Sequence, residues 1–237
     1  MIVLKKIKEK SIEYLKPKNL KKISNFAFKP LLISGFIFVL YTFLYVSFFI
    51  ENDYEQGYIF KMLYVHVPTS WWALGIYVIM AFLGIIGFIT RMPQFHIMAT
   101  CWLMPGLTFT IFSLLSGMIW GKLTWGTFWV WDARLTTMFL HFLIYLSYAL
   151  FIYSSKHKNE TSLAIGSVLL IIGLVNLPLI KWSVDWWFTL HQSSSLNAFG
   201  KNTIHQTYFI PLLIISIGFF LWALGIFFLK LKNYFKD

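Results

Sequence analysis

Of the chain's 237 residues, 58% are hydrophobic and only 12% charged, a balance that excludes a soluble globular domain. A formal net charge of +11 would suit a nucleic-acid binder only if the cations gathered on one surface, and sorted by segment they do not. The single cysteine, Cys101, excludes an internal disulfide and a C-x-x-C redox pair.

Six apolar runs of about 20 residues are long enough to cross a hydrocarbon core of roughly 30 Å. They cover about 31–50, 67–89, 98–119, 136–155, 161–180 and 207–229. Every backbone group within them must be bonded internally, so they are read as helices. They lack the alternating polarity that a lipid-facing β-barrel needs. The expected fold is therefore an all-α polytopic membrane protein, with a basic tail at 1–30, a six-helix membrane domain at 31–229 and a short tail at 230–237. Fifteen of the twenty Lys and Arg lie in the two tails and the second and fourth loops, nine of them between Lys5 and Lys29. The alternate loops hold five cations (Lys61, Lys122, Arg134, Lys181, Lys201) against five acids (Glu51, Asp53, Glu55, Asp132, Asp185). Basic segments stay cytoplasmic, which predicts both termini inside and 51–66, 120–136 and 181–206 outside. The charge is a topology signal, with attraction to anionic lipid in addition.

Along the chain, no short apolar core with a small-residue cleavage site precedes the first run, so no removable signal peptide is expected. The first outer loop ends in Y-V-H-V-P-T-S-W-W. Pro68 suits the first turn of a helix and favours an extended Val67, which sets His66 at the outer mouth of the second span with Trp71 and Trp72 one turn inside. The inner connection at 90–97 carries Arg91, Pro93 and His96; His96, like His157 in the fourth connection, is expected to be solvated. Pro105-Gly106 predicts a kink in the third span. His141 lies one to two turns into the fourth. The last outer loop begins K-W-S-V-D-W-W-F-T-L-H-Q, with Trp187 and His191 at i, i+4, and continues through a polar stretch from Ser193 to Asn202. No internal repeat is present, and no Gly-rich phosphate loop or Ser/His/Asp spacing suggests an ATPase or hydrolase.

Between the third and fourth spans lies W-G-K-L-T-W-G-T-F-W-V-W-D-A-R-L-T, residues 120–136. Trp120, Trp125, Trp129 and Trp131 with Phe128 fall within twelve residues, and Asp132 and Arg134 follow at once. A helix through 125–132 would set Trp125, Phe128, Trp129 and Asp132 on one stripe. Gly121 and Gly126 argue against one long helix. Tryptophan suits a flat, largely apolar partner, and it also gathers at membrane surfaces as a belt. By the charge sorting, His66, this segment and His191 share one side of the membrane. An aromatic platform between two imidazoles suggests a metalloporphyrin with axial histidines, and Arg134, Lys122 or Lys181 would pair with its propionates. A single interfacial histidine is more often a polar cap at a helix end than a ligand. His141 and His205, also on the outer half, read as further ligands or as helix-packing residues. Asp132 either caps the fourth span or orients a ligand histidine. Two other classes stay open at this level. One is a secondary transporter, which would need ionisable groups at the bilayer centre and broken helices, where the spans offer only His141 and Pro105-Gly106. The other is an assembly scaffold whose Trp segment binds protein.

The string W-G-T-F-W-V-W-D-A-R-L-T resembles the tryptophan-rich "WWD" signature of haem-handling membrane proteins of cytochrome c maturation. With Y-V-H-V-P before the second span, N-L-P in the fifth and S-V-D-W-W-F-T-L-H-Q after it, the chain resembles the haem exporter protein C family over nearly its whole length. Two positions depart from the usual pattern: Phe128 stands where Trp is usual, keeping an aromatic face and losing an N–H, and Asp185 stands where Glu is common. The resemblance implies that His66 and His191 are axial ligands of haem b held at the periplasmic face of the bacterial inner membrane. It implies a platform of Trp120, Trp125, Phe128, Trp129, Trp131 and Asp132. The protein would bind and transfer haem, assisting its covalent attachment to a histidine of a membrane-anchored periplasmic haem chaperone. The implied partners also include an ABC transporter and a small single-span subunit.

Overall fold

The computed structural model describes residues 13–154, 159–191 and 204–235. The helices among them are α1 (Pro17–Phe49), α2 (Leu63–Thr90, entered through a 3-10 turn at Tyr58–Met62), α3 (Pro93–Cys101), α4 (Leu103–Trp125), α5 (Ala133–Ser154), α6 (Glu160–Gly173), α7 (Asn176–Trp186) and α8 (Gln206–Tyr234). With α3–α4 and α6–α7 each taken as one broken rod, six segments are long and apolar enough to cross a membrane. The protein is a multi-pass α-helical membrane protein, as the hydropathy predicts.

Helix α1 begins at Pro17, a residue suited to the first turn because its missing N–H has no partner there. Its 33 residues reach about 50 Å at 1.5 Å per residue, well beyond a hydrocarbon core. The basic stretch from Lys18 to Lys29 is thus the lower end of this helix. Leu20 is buried there, and Lys232 at the end of α8 lies 4.6 Å from the Phe28 ring.

Helix α2 is the centre of the bundle, packing against α3, α4, α6 and α8. Its Ala73, Ile76, Tyr77, Met80 and Ala81 are fully buried, with Leu103 of α4, Tyr145 of α5 and Leu170 of α6. A hydroxyl in such a core must find a partner. Tyr77 donates to the Leu170 carbonyl at 3.0 Å and Tyr145 to the Ala73 carbonyl at 2.9 Å.

Two spans break, each for a proline's reason. Pro105 has no N–H for the carbonyl four residues back, and its ring crowds that turn. The break falls at Trp102, between α3 and α4, so the kink sits one turn before the Pro105-Gly106 pair that predicts it. Pro178 acts likewise on the turn at Leu174–Val175, between α6 and α7.

Two local expectations need correction, and one conditional reading is decided. Pro68 is not in the first turn: α2 starts at Leu63, so Val67 is helical and His66 is the fourth residue of the helix, not a residue outside it. Back-bonding hydroxyls accompany the proline, Thr69 to the Val65 carbonyl at 2.8 Å and Ser70 to that of His66 at 2.7 Å. His96 is not solvated. Helix α3 starts at Pro93 and turns it inward, 6% exposed, with Nδ1 2.7 Å from the Ser167 hydroxyl. The segment 126–132 is not helical, because Gly126 ends α4 in the left-handed region at φ 79° and α5 starts only at Ala133. His157 and the stretch from Ser193 to Asn202 lie outside the described residues.

Candidate functional site

A cavity of about 540 Å3 lies at the end of the bundle that carries the Trp-rich segment, within the range of roughly 300–1,000 Å3 typical of small-molecule sites. His66, Trp120, Arg134, Lys181, His191 and His205 all line it, and apolar residues of α2, α4 and α5 (Leu74, Leu114, Met138) close its inner end. Leu74 is eight residues below His66 on α2, so the cavity reaches about 12 Å further into the bundle.

His66 is held by α4. Its Nδ1 lies 3.1 Å from both the Ser113 carbonyl and the Ser116 hydroxyl oxygen. The Ser116 proton goes to the Phe112 carbonyl at 2.6 Å, so both neighbours of Nδ1 are acceptors. Nδ1 therefore carries the proton, and the neutral ring presents its lone pair at Nε2. Trp120 meets the imidazole edge-on with centroids 5.8 Å apart. The Trp120 N–H donates to Gln56 Oε1 at 3.0 Å, and Gln56 is placed by a turn in which Asp53 Oδ1 accepts from the N–H groups of Glu55 and Gln56. Gly117 lets the ring lie flat on α4: a Cβ there would stand 2.9 Å from His66 Cε1.

His191 is held by the start of α5. Asp132 divides its two oxygens: Oδ1 accepts from the Leu135 N–H at 2.7 Å and caps the helix, while Oδ2 accepts from His191 Nδ1 at 3.2 Å and from the Thr189 hydroxyl. Asp132 thus both caps α5 and holds the His191 ring, through different oxygens. With the Thr189 proton engaged on the carboxylate, the neighbours of His191 Nδ1 are again acceptors, and Nε2 is again the free nitrogen. Trp125 meets this ring edge-on at 4.9 Å. Burial and the Arg134 charge hold His191 below the ordinary histidine pKa, against the opposing pull of Asp132. Burial raises Asp132, but the Leu135 N–H, the Thr189 hydroxyl and His191 outweigh it and leave the carboxyl below its usual range.

The remaining candidates separate clearly. Of the aromatic residues in the Trp-rich segment only Trp120 lines the cavity. Trp129 and Trp131 pack on each other and on Phe139, with Trp131 72% exposed. Phe128 is exposed beneath the Lys122 ammonium. Lys122 itself donates to the Gly126 carbonyl at 2.8 Å and closes the end of α4, away from the cavity. Arg134 and Lys181 line the cavity, and among the described residues neither is in an ion pair. His205 caps α8, its Nδ1 accepting from the Thr207 N–H at 3.3 Å, so its proton sits on Nε2 and its free lone pair is already used. His141 is fully buried below the cavity, edge-on to Tyr77 and Tyr145. Sequence reasoning missed Ser113, Ser116, Gln56 and Thr189; the N-D-Y-E-Q-G turn was a legible signal for Gln56 alone.

The arrangement offers two imidazole nitrogens, two cations and an apolar interior in one cavity, a donor set that fits a flat, anionic, iron-bearing macrocycle. Comparison with known proteins agrees in kind. Residues 10–236 match the family model for heme exporter protein C. A ccmC-like mitochondrial protein of Marchantia polymorpha, named for cytochrome c biosynthesis, is 40% identical over 206 residues, 86% of each chain. Heme exporter protein C of Bradyrhizobium diazoefficiens is 33% identical over 204 residues, 86% of this chain and 77% of that one. The Escherichia coli K12 protein of the same name is 35% identical over 185 residues, 78% and 74%. A match this long, joined to paired histidines in one cavity at the Trp-rich end, places the chain in the heme exporter protein C family.

Proposed function

We propose that the protein binds haem b in this cavity at the periplasmic face of the inner membrane and presents it to a membrane-anchored periplasmic haem chaperone for cytochrome c biogenesis. His66 and His191 serve as the axial ligands, and Arg134 and Lys181 receive the propionates. The observation that carries the reading is the pair of tautomers. Both imidazoles line one cavity, and in both the hydrogen bonds to Nδ1 leave Nε2 as the ligating nitrogen. Trp120 and Trp125 act by fixing the two rings edge-on, and Phe128 and Trp131, with the half-buried Trp129 packed beneath Trp131, form an aromatic rim beside them. That rim supports docking of the chaperone, whose own histidine takes the haem edge. The protein associates with an ABC transporter, which releases the loaded chaperone, and with a small single-span subunit.

Broken helices also occur in transporters, but here the cavity's inner end is apolar and, among the described residues, no carboxylate lines it below Asp53, which disfavours an ion-coupled path through the bundle. The test is the visible spectrum of the purified protein and of its His66→Gly and His191→Gly variants. The wild type is expected to show a six-coordinate low-spin haem. Each variant is expected to lose it and recover it with added imidazole, while His205→Gly does not respond in this way. An unaltered low-spin spectrum in both glycine variants refutes the axial assignment.

A further inference from the structure

We infer that the two histidines are unequal ligands: His191, backed by the carboxylate of Asp132, is the anchor, and His66, backed only by neutral groups, is the ligand that yields when haem enters or leaves. The inference rests on the haem reading above and names the order of events at that site. It makes Asp132 and Thr189 positioning residues, which act through His191 without touching the cargo.

The asymmetry lies in what each Nδ1–H donates to. A carboxylate acceptor pulls the Nδ1 proton and enriches Nε2 in electron density, and such charge-assisted bonds are about twice as strong as neutral ones. His191 has that acceptor in Asp132 Oδ2. His66 has the Ser113 carbonyl and the Ser116 hydroxyl oxygen, both uncharged. Asp132 is itself held by the α5 backbone through Leu135 and by Thr189, so its charge is fixed in place rather than supplied by a swinging side chain. The carboxylate is 5% exposed, which protects it from screening by water and salt. Thr189 moderates the arrangement, since its hydroxyl shares Oδ2 with His191. The yielding step breaks one iron–nitrogen bond. The lone pair stays on His66 Nε2, the iron keeps its charge and oxidation state, and its sixth position is left open or takes water. No proton or electron moves.

The experiment is resonance Raman spectroscopy of the carbon monoxide adduct of the ferrous, haem-loaded full chain. Carbon monoxide takes the place of the yielding ligand, and the iron–carbon stretch reports the donor strength of the imidazole that remains opposite. Asp132→Asn keeps an oxygen for the Leu135 N–H but removes the charge, and is expected to shift that stretch up. Thr189→Val frees Oδ2 for His191 alone and is expected to shift it down. Ser116→Ala is expected to leave it unchanged. If Asp132→Asn fails to retain haem, the direction of the Thr189→Val shift decides. A frequency that follows Ser116→Ala, or one that ignores all three substitutions, overturns the inference. Failure of the haem reading itself shows separately, as unaltered low-spin spectra in His66→Gly and His191→Gly.

Discussion

Substituting Gly117 with alanine pushes directly on the His66 imidazole. The added Cβ would stand 2.9 Å from Cε1 and 3.4 Å from Nδ1. Carbon atoms rest at about 3.5–4.0 Å, so the ring must retreat by roughly 0.6 Å or more. Its Nδ1 already lies 3.1 Å from the Ser113 carbonyl, and a retreat of that size takes this contact past hydrogen-bond range. Losing one such bond costs about 1 kcal/mol, which is roughly a fivefold weaker hold on the ligand. The helix is not at risk, since alanine is favoured over glycine in helix interiors by about 1 kcal/mol. The assay is titration of the haem-depleted protein with haem, followed in the visible spectrum with and without imidazole. Affinity is expected to fall about fivefold, with a high-spin fraction that added imidazole removes. Gly75→Ala is the control, because its Cβ would meet Trp72 at an ordinary 3.5 Å. An alanine at 117 with wild-type affinity and spectrum refutes the claim that α4 sets the His66 ring.

Other outcomes follow from the same geometry. Trp120→Ala and Trp125→Ala each remove an edge-on contact worth roughly 0.5–1.5 kcal/mol and are expected to weaken haem retention several-fold, whereas Trp131→Ala, at an exposed position, changes it less; equal losses in all three would count against this division. Reporter fusions at Lys122 and Lys181 are expected to behave as periplasmic and those at Arg91 and Lys158 as cytoplasmic, and the inverted pattern would remove the proposed site from the chaperone's side. His191 and Asp132 both have depressed pKa values, so their contribution to stability is complete above the ordinary values of the unfolded chain and is lost as pH falls from those values through the lowered ones. The melting temperature of the haem-free protein should therefore be flat above about pH 6.5, the ordinary histidine value, and fall as acid is added below it; a melting temperature unchanged by acidification from about pH 7 to about pH 5 would contradict the depressed His191.

The spans were legible because lipid demands long apolar runs, and the charge of the connections needed no tertiary knowledge. The pairing of His66 with His191 in one cavity was legible from order and side alone. What the sequence concealed was how the tryptophans are used. A stripe through Trp125 and Asp132 presumes a helix that Gly126 forbids, and the sequence showed the glycine without showing that it ends the helix outright. The start of α2 was misplaced because Pro68 imitates a first-turn proline, while lipid-embedded helices tolerate proline in their interior when nearby hydroxyls bond back. His96 was misjudged for a related reason: an inner connection of a few residues is too short to stay in water, and Pro93 starts a helix that buries it. Ser113 and Ser116 gave no signal, since serine in an apolar span carries no period that marks it as a hydrogen-bond partner.

The contact between Asp132 and His191 spans 59 positions of sequence, and that between His66 and Ser116 spans 50. During synthesis the chain therefore completes its two halves of the cavity at different times. Once the third span is inserted, His66 already has Ser113, Ser116 and Trp120. His191 arrives two spans later, and its carboxylate partner waits at the head of α5 until then. A chain arrested before Thr189 holds His66 and an unshared Asp132 without the second imidazole of the pair. On the proposed haem reading, biogenesis then carries its own safeguard, since an iron macrocycle would find both imidazoles only on a chain whose fifth membrane crossing is finished.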